Sequence, residues 1–109
     1  MQATNGDFYG TTYDGGTYGD GTVFRITPSG ALTTLYSFCA QTNCTDGVNP
    51  VAGLVQTANG DFYGTTEHGG AHNAGTVFQI TPSGTLTTLY SFCSQTKCTD
   101  GQYPTAGLV

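Results

Sequence analysis

Cations are the scarcest feature of this chain. Arg25 and Lys97 stand alone against seven acidic residues, giving a net charge of −5. Binding to a phosphate backbone relies on clustered Lys and Arg to displace counterions, so a nucleic-acid partner is excluded. Attraction to an anionic membrane surface fails for the same reason. No apolar run approaches the roughly 20 residues that cross a bilayer, so no membrane insertion is expected. No signal peptide is read either, because Met1 runs straight into a polar strand end. The sequence reads as a piece of a longer array, with Met1 serving initiation.

What is abundant points to strands. Seventeen Gly and many Thr disfavour helix and favour strands joined by tight turns. The decisive feature is repetition. Asn59-Gly60-Asp61-Phe62-Tyr63-Gly64-Thr65-Thr66 repeats Asn5 to Thr12 letter for letter at an offset of 54. The same offset joins Gly21-Thr22-Val23-Phe24 to Gly75-Thr76-Val77-Phe78, Cys39 to Cys93, and Pro50 to Pro104. After Met1 the chain is two copies of one unit, residues 2–55 and 56–109. Repetition at this period marks a stacked or radial repeat architecture.

Each unit predicts four strands in simple sequence order. Residues 52–57 form strand A, Asn59-Gly60 the hairpin turn, and residues 61–66 strand B. A Gly-rich loop leads to strand C at residues 76–81. Pro82-Ser83-Gly84 turns into strand D at residues 86–92, and the segment from Cys93 to Pro104 returns to the next strand A. Strand C alternates Thr76, Phe78 and Ile80 against Val77 and Gln79, and strand D alternates comparably. Both faces carry apolar side chains and both require cover. The expected fold is all-β: two four-stranded antiparallel meanders, each a β-propeller blade.

The strings "YGTT", "GTVF.ITPSG" and "P.AGLV" resemble the bacterial tandem-repeat family called GloVer, over essentially the whole chain. The layout is also similar to an NHL-type propeller blade. The resemblance implies a secreted or surface-anchored array and carries no assigned activity.

Strand A is divided between Gln2-Ala3-Thr4 at one end and Ala106-Gly107-Leu108-Val109 at the other. Two blades cannot close a ring alone, and bare apolar sheet faces invite aggregation. Completion by other copies is therefore expected, head to tail, into a ring or a filament. Propellers hold roughly 4–8 blades. Small residues on the inner strand favour a six-bladed trimer, followed by an eight-bladed tetramer.

The two copies differ mostly in the B–C and D–A loops, which share one end of each sheet. Tyr13, Asp14, Tyr18, Asp20, Glu67, His68, His72 and Tyr103 there form a candidate face for a glycan or protein ligand, with aromatics for sugar rings and polar groups for hydroxyls. Drift in exposed loops explains the same differences. Cys39/Cys44 and Cys93/Cys98, each pair with four intervening residues, read as disulfides within the D–A loops of an extracellular protein. A four-cysteine zinc site fits that spacing only at its limit. His68 and His72 lie in a loop, where H-x₃-H loses its helical warrant, and no Ca²⁺-loop spacing surrounds Asp14, Asp20 or Glu67. Asp46 and Asp100, each before Gly, read as turn residues. No nucleophile–base–acid set recurs, so no catalysis and no cofactor or metal are expected. Three functions remain open: a structural repeat scaffold that self-assembles, a glycan- or protein-binding module, and an open solenoid or filament subunit.

Overall fold

The computed structural model describes all residues from Met1 to Val109. It is all-β, with two antiparallel sheets and, outside them, two single 3-10 turns, Thr42–Cys44 and Thr96–Cys98. The first sheet runs β1 (Phe8–Thr12), β2 (Thr22–Ile26) and β3 (Leu32–Ser37) in sequence order. The second runs β4 (Val55–Gln56), β5 (Phe62–Thr66), β6 (Thr76–Ile80) and β7 (Leu86–Ser91). Registers are identical in the two copies: Phe8 faces Ile26 as Phe62 faces Ile80. Even the irregularity in the next pair recurs, at Val23/Phe24 and at Val77/Phe78.

Strand A is the exception to the predicted bounds. Only Val55 and Gln56 pair with β5, whereas residues 52–54 leave the ladder. Ala52 instead offers its carbonyl to Thr11 Oγ1 of the first sheet at 2.9 Å, and Leu54 folds over Gly64. In the first sheet the strand shrinks to one bridge, Gln2 to Phe8, at the position where Gln56 meets Phe62.

Gly64 shows why this repeat tolerates no side chain at mid-strand. A Cβ there would meet Phe78 Cζ at 2.7 Å and Leu54 Cδ2 at 2.8 Å. Phe78 can therefore lie flat across the strand and still bury completely.

The two sheets pack face to face. Tyr9 stacks on Phe62 with ring centroids 4.2 Å apart, and Phe38 meets Phe78 edge-on at 5.3 Å. The core is one cluster of Ala3, Tyr9, Val23, Phe38, Leu54, Phe62, Phe78 and Ile80. It lies between the sheets. Burial of such side chains contributes about 1.5–3 kcal/mol each, and this supplies the main cohesion of the pair.

Identical sequences therefore meet different fates. Phe62 is wholly buried, while its twin Phe8 is 41% exposed. Leu89 is 50% exposed where Leu35 is half-buried. The second sheet buries the face that leads toward lower residue numbers, and the first buries the opposite, trailing face. One leading face, with Phe8, Phe24 and Ile26, and one trailing face, with Val77, Tyr90 and Phe92, stay uncovered.

Candidate functional site

Five of the eight residues singled out in the loops gather where the two sheets meet, at the predicted end of each sheet. Val48 of the D–A connection and His68 of the next B–C loop exchange both backbone bonds, Val48 N–H to His68 O at 2.9 Å and the return at 3.1 Å. Glu67 N–H donates to Asn49 O at 3.0 Å, and Gly70 N–H to Cys44 O at 3.0 Å. These four bonds form a short ladder across the junction. Asn49 also bonds back to its own unit, to Asp20 O at 2.8 Å, as Tyr103 bonds to Ala74 O at 2.7 Å.

Side chains extend the contact. Tyr13 donates its hydroxyl to Glu67 Oε1 at 2.9 Å, and that bond raises the Tyr13 phenol above its ordinary pKa. Glu67 Oε1 also lies 3.0 Å from His68 Nε2, and the His68 ring lies 5.2 Å from Tyr103. Asn49 Nδ2 donates to Tyr13 O at 2.9 Å and reaches Asp14 Oδ1 at 3.4 Å. Five of the eight candidate ligand residues, Tyr13, Asp14, Glu67, His68 and Tyr103, thus form one strip running from unit to unit. Within it the polar groups of Tyr13, Glu67 and His68 engage one another, Asp14 meets Asn49, and Tyr103 contributes a ring contact.

The other three lie apart. Tyr18 lines an open cleft of about 380 Å³ with Thr17, Thr34, Leu35, Tyr36, Ser37 and Ala40. Asp20 sits within 4.8 Å of the Cys39 and Cys44 sulfurs, which are bonded to each other. His72 is exposed at the loop tip.

Both cysteine pairs are disulfides, Cys39–Cys44 and Cys93–Cys98, which accords with an extracellular protein. Each lies in a D–A connection whose backbone turns left-handed at four non-glycine positions, φ 68°, 59°, 54° and 57° at Cys39, Asn43, Cys44 and Asn49. Cys93, Lys97, Cys98 and Tyr103 follow suit.

Asp46 and Asp100 do more than turn the chain. Asp46 is fully buried and accepts from Tyr36 Oη at 2.6 Å, Ala40 N at 2.9 Å and Gln41 N at 3.3 Å. Burial and that bond push the Tyr36 phenol well up. Asp100 repeats the bonds with Tyr90, Ser94 and Gln95. The Tyr90 hydroxyl, helped by the two amides, holds the Asp100 carboxyl down at about 2. The available signal was a Tyr ten residues before an Asp in both copies.

The residues assigned to closure also have places. Gln2 pairs with Phe8, Ala3 is buried, and Thr4 N–H donates to Gln56 Oε1 at 3.1 Å. Ala106 O accepts from Thr65 Oγ1 at 3.5 Å, the twin of the Thr11 bond. Gly107 runs beside Ala52 and Gly53, Leu108 is half-buried, and Val109 is exposed.

The family model for the Gloeobacter/Verrucomicrobia repeat matches residues 1–109. The chain belongs to the Gloeobacter/Verrucomicrobia repeat family. That family is the one the "YGTT" and "GTVF.ITPSG" strings resemble. No curated protein and no solved structure matches the chain. As a member of this repeat family, the chain contributes two successive units and the junction between them.

Proposed function

We infer that this chain is a non-catalytic structural scaffold of an extracellular or cell-surface array, whose units stack face to face as propeller blades and whose outer faces stack on further copies of the chain. The supporting observation is the mismatch between twin glycines. A Cβ on Gly47 would strike Thr66 Oγ1 at 2.6 Å, yet on Gly101 it meets nothing closer than Phe92 at 3.7 Å. A Cβ on Gly69 would lie 2.7 Å from Gly47 and Val48, and one on Gly84 would lie 2.7 Å from Leu35 O. Their twins Gly15 and Gly30 have nothing within 4 Å. Space reserved for a neighbouring unit is filled at one junction and empty at both outer faces.

The unmatched groups are complementary. Shifted by one unit, the ladder pairs Gln102 with Asp14, Tyr103 O with Tyr13 N–H, and Cys98 O with Gly16 N–H of a second copy. None of these groups makes those bonds within the chain. Over Gly10 the three atoms nearest an added Cβ all belong to Phe24, whereas over Gly64 Leu54 Cδ2 comes within 2.8 Å of one, and Leu108 of another copy is the residue corresponding to Leu54. A head-to-tail contact of this kind closes as a ring if the rotation fits. Three or four chains would then give six or eight blades, within the usual range.

Negative-stain electron microscopy tests this. Closed rings are expected, fibres would indicate an open solenoid, and isolated particles of single-chain size would contradict the proposal.

A further inference from the structure

The D–A loop is both the part that crosses the junction and the part closed by a disulfide. At the filled junction, Cys44 itself supplies an acceptor: its carbonyl takes Gly70 N–H of the next unit while also holding Gly47 N–H of its own loop, both at 3.0 Å. Val48 and Asn49, four and five residues further on, supply the other three bonds. At the open face the same parts are Cys98, Gln102 and Tyr103.

We propose that the Cys93–Cys98 disulfide is a redox switch for stacking: oxidised, it presents the junction ladder to a second copy, and reduced, it withdraws it. The proposal rests on the face-to-face stacking inferred above. Cys93, Lys97, Cys98 and Tyr103 hold φ of 65°, 60°, 55° and 54°, a left-handed backbone that L-residues keep only when surroundings impose it. Two ties impose it. One is the Asp100 carboxylate, which holds Ser94 N–H and Gln95 N–H. The other is the disulfide, which fixes Cys98, the residue whose carbonyl must meet Gly16 of the next copy. At the filled junction the covering sheet adds another tie, since Asp46 and Gly47 are buried there. The open loop has no such cover, so more of its geometry rests on its own bonds, the disulfide being the covalent one.

The chemistry balances with a small thiol as reductant. One thiolate attacks a cystine sulfur, forming a mixed disulfide and freeing one cysteine thiolate. A second small thiolate attacks the small-molecule sulfur of the mixed disulfide, forming the oxidised small-molecule disulfide and expelling the other cysteine as its thiolate. Two protons complete the two cysteine thiols. Re-oxidation reverses each step, so stacking becomes available only once the chain has reached an oxidising compartment.

The test titrates the intact chain with reduced and oxidised glutathione. Light scattering reads the assembly mass, while alkylation and mass spectrometry read each cysteine pair. Dissociation is expected to track reduction of Cys93–Cys98, with the dissociation constant rising about tenfold and the mass returning on re-oxidation. Cys93→Ser/Cys98→Ser should show the weakened constant without reductant, its sheets checked by circular dichroism. A change below threefold with Cys93 and Cys98 fully alkylated overturns the switch and leaves the stacking intact. An oxidised chain that remains at one chain mass instead overturns the stacking, and the switch with it. Should the serine variant fail to fold, the redox cycle of the natural chain still decides.

Discussion

Tyr13 and Glu67 occupy the same position of successive repeats, and they bond to each other across the junction, 2.9 Å from hydroxyl to carboxylate. The difference between the copies at this rim position is therefore a contact. Tyr13→Glu would set two carboxylates side by side and lower the thermal midpoint at neutral pH, with partial recovery in high salt. The exchange Tyr13→Glu/Glu67→Tyr should restore most of the loss. A thermal-unfolding cycle over the four variants checks the coupling; additive losses would contradict it.

Gly47 and Gly101 share φ near 101° and 102° but not surroundings. Gly47→Ala adds a clash with Thr66 to the left-handed strain and should cost more than about 3 kcal/mol. Gly101→Ala carries the strain alone, about 1–2 kcal/mol. Urea unfolding at concentrations where chains are single compares the two. At higher concentration Gly101→Ala should abolish stacking, because its Cβ enters the space where the next unit belongs.

Leu54 is almost fully buried over Gly64. Leu54→Ala should lower stability by about 2–4 kcal/mol. Leu108→Ala, at the same position of the repeat but only half-buried, should cost a single chain less than Leu54→Ala does and weaken association as well. Denaturant midpoints measured at two protein concentrations separate the effects.

Asp100 gives a pH prediction of definite sign. Its carboxyl sits near 2 in the fold against 3.8 when free, so the folded loop binds fewer protons between those values. The stabilisation is complete above 3.8 and is lost as pH falls toward 2. An NMR titration should place the Asp100 midpoint near 2, with faster exchange at the Ser94 and Gln95 amides below it. Asp100→Asn should return the Tyr90 phenol toward its usual value, since that carboxylate is the main cause of its rise.

Strands B, C and D were legible because period-2 patterning and turn residues act locally. They match the expected bounds apart from single ends such as Asp61, Thr81 and Phe92. Asp61 leaves the ladder yet accepts Gln79 Nε2 at 2.7 Å. Strand A was overextended because Ala52 and Leu54 answer to partners 41 and 10 residues away, Thr11 and Gly64, which no local pattern reveals. The B–C and D–A loop face is visible in the differences between the copies, but that Tyr13 touches Glu67 depends on the angle between sheets. Asp46 before Gly47 has the sequence of a turn former, and its burial under the next sheet depends on the same angle.

Assembly requires the uncovered leading and trailing faces of separate chains to find each other. Size-exclusion chromatography with multi-angle light scattering, on the oxidised chain across a hundredfold range of concentration, measures this directly. Stacking predicts a mass of three or four times the 11.3 kDa chain. A mass of one chain throughout that range would contradict it.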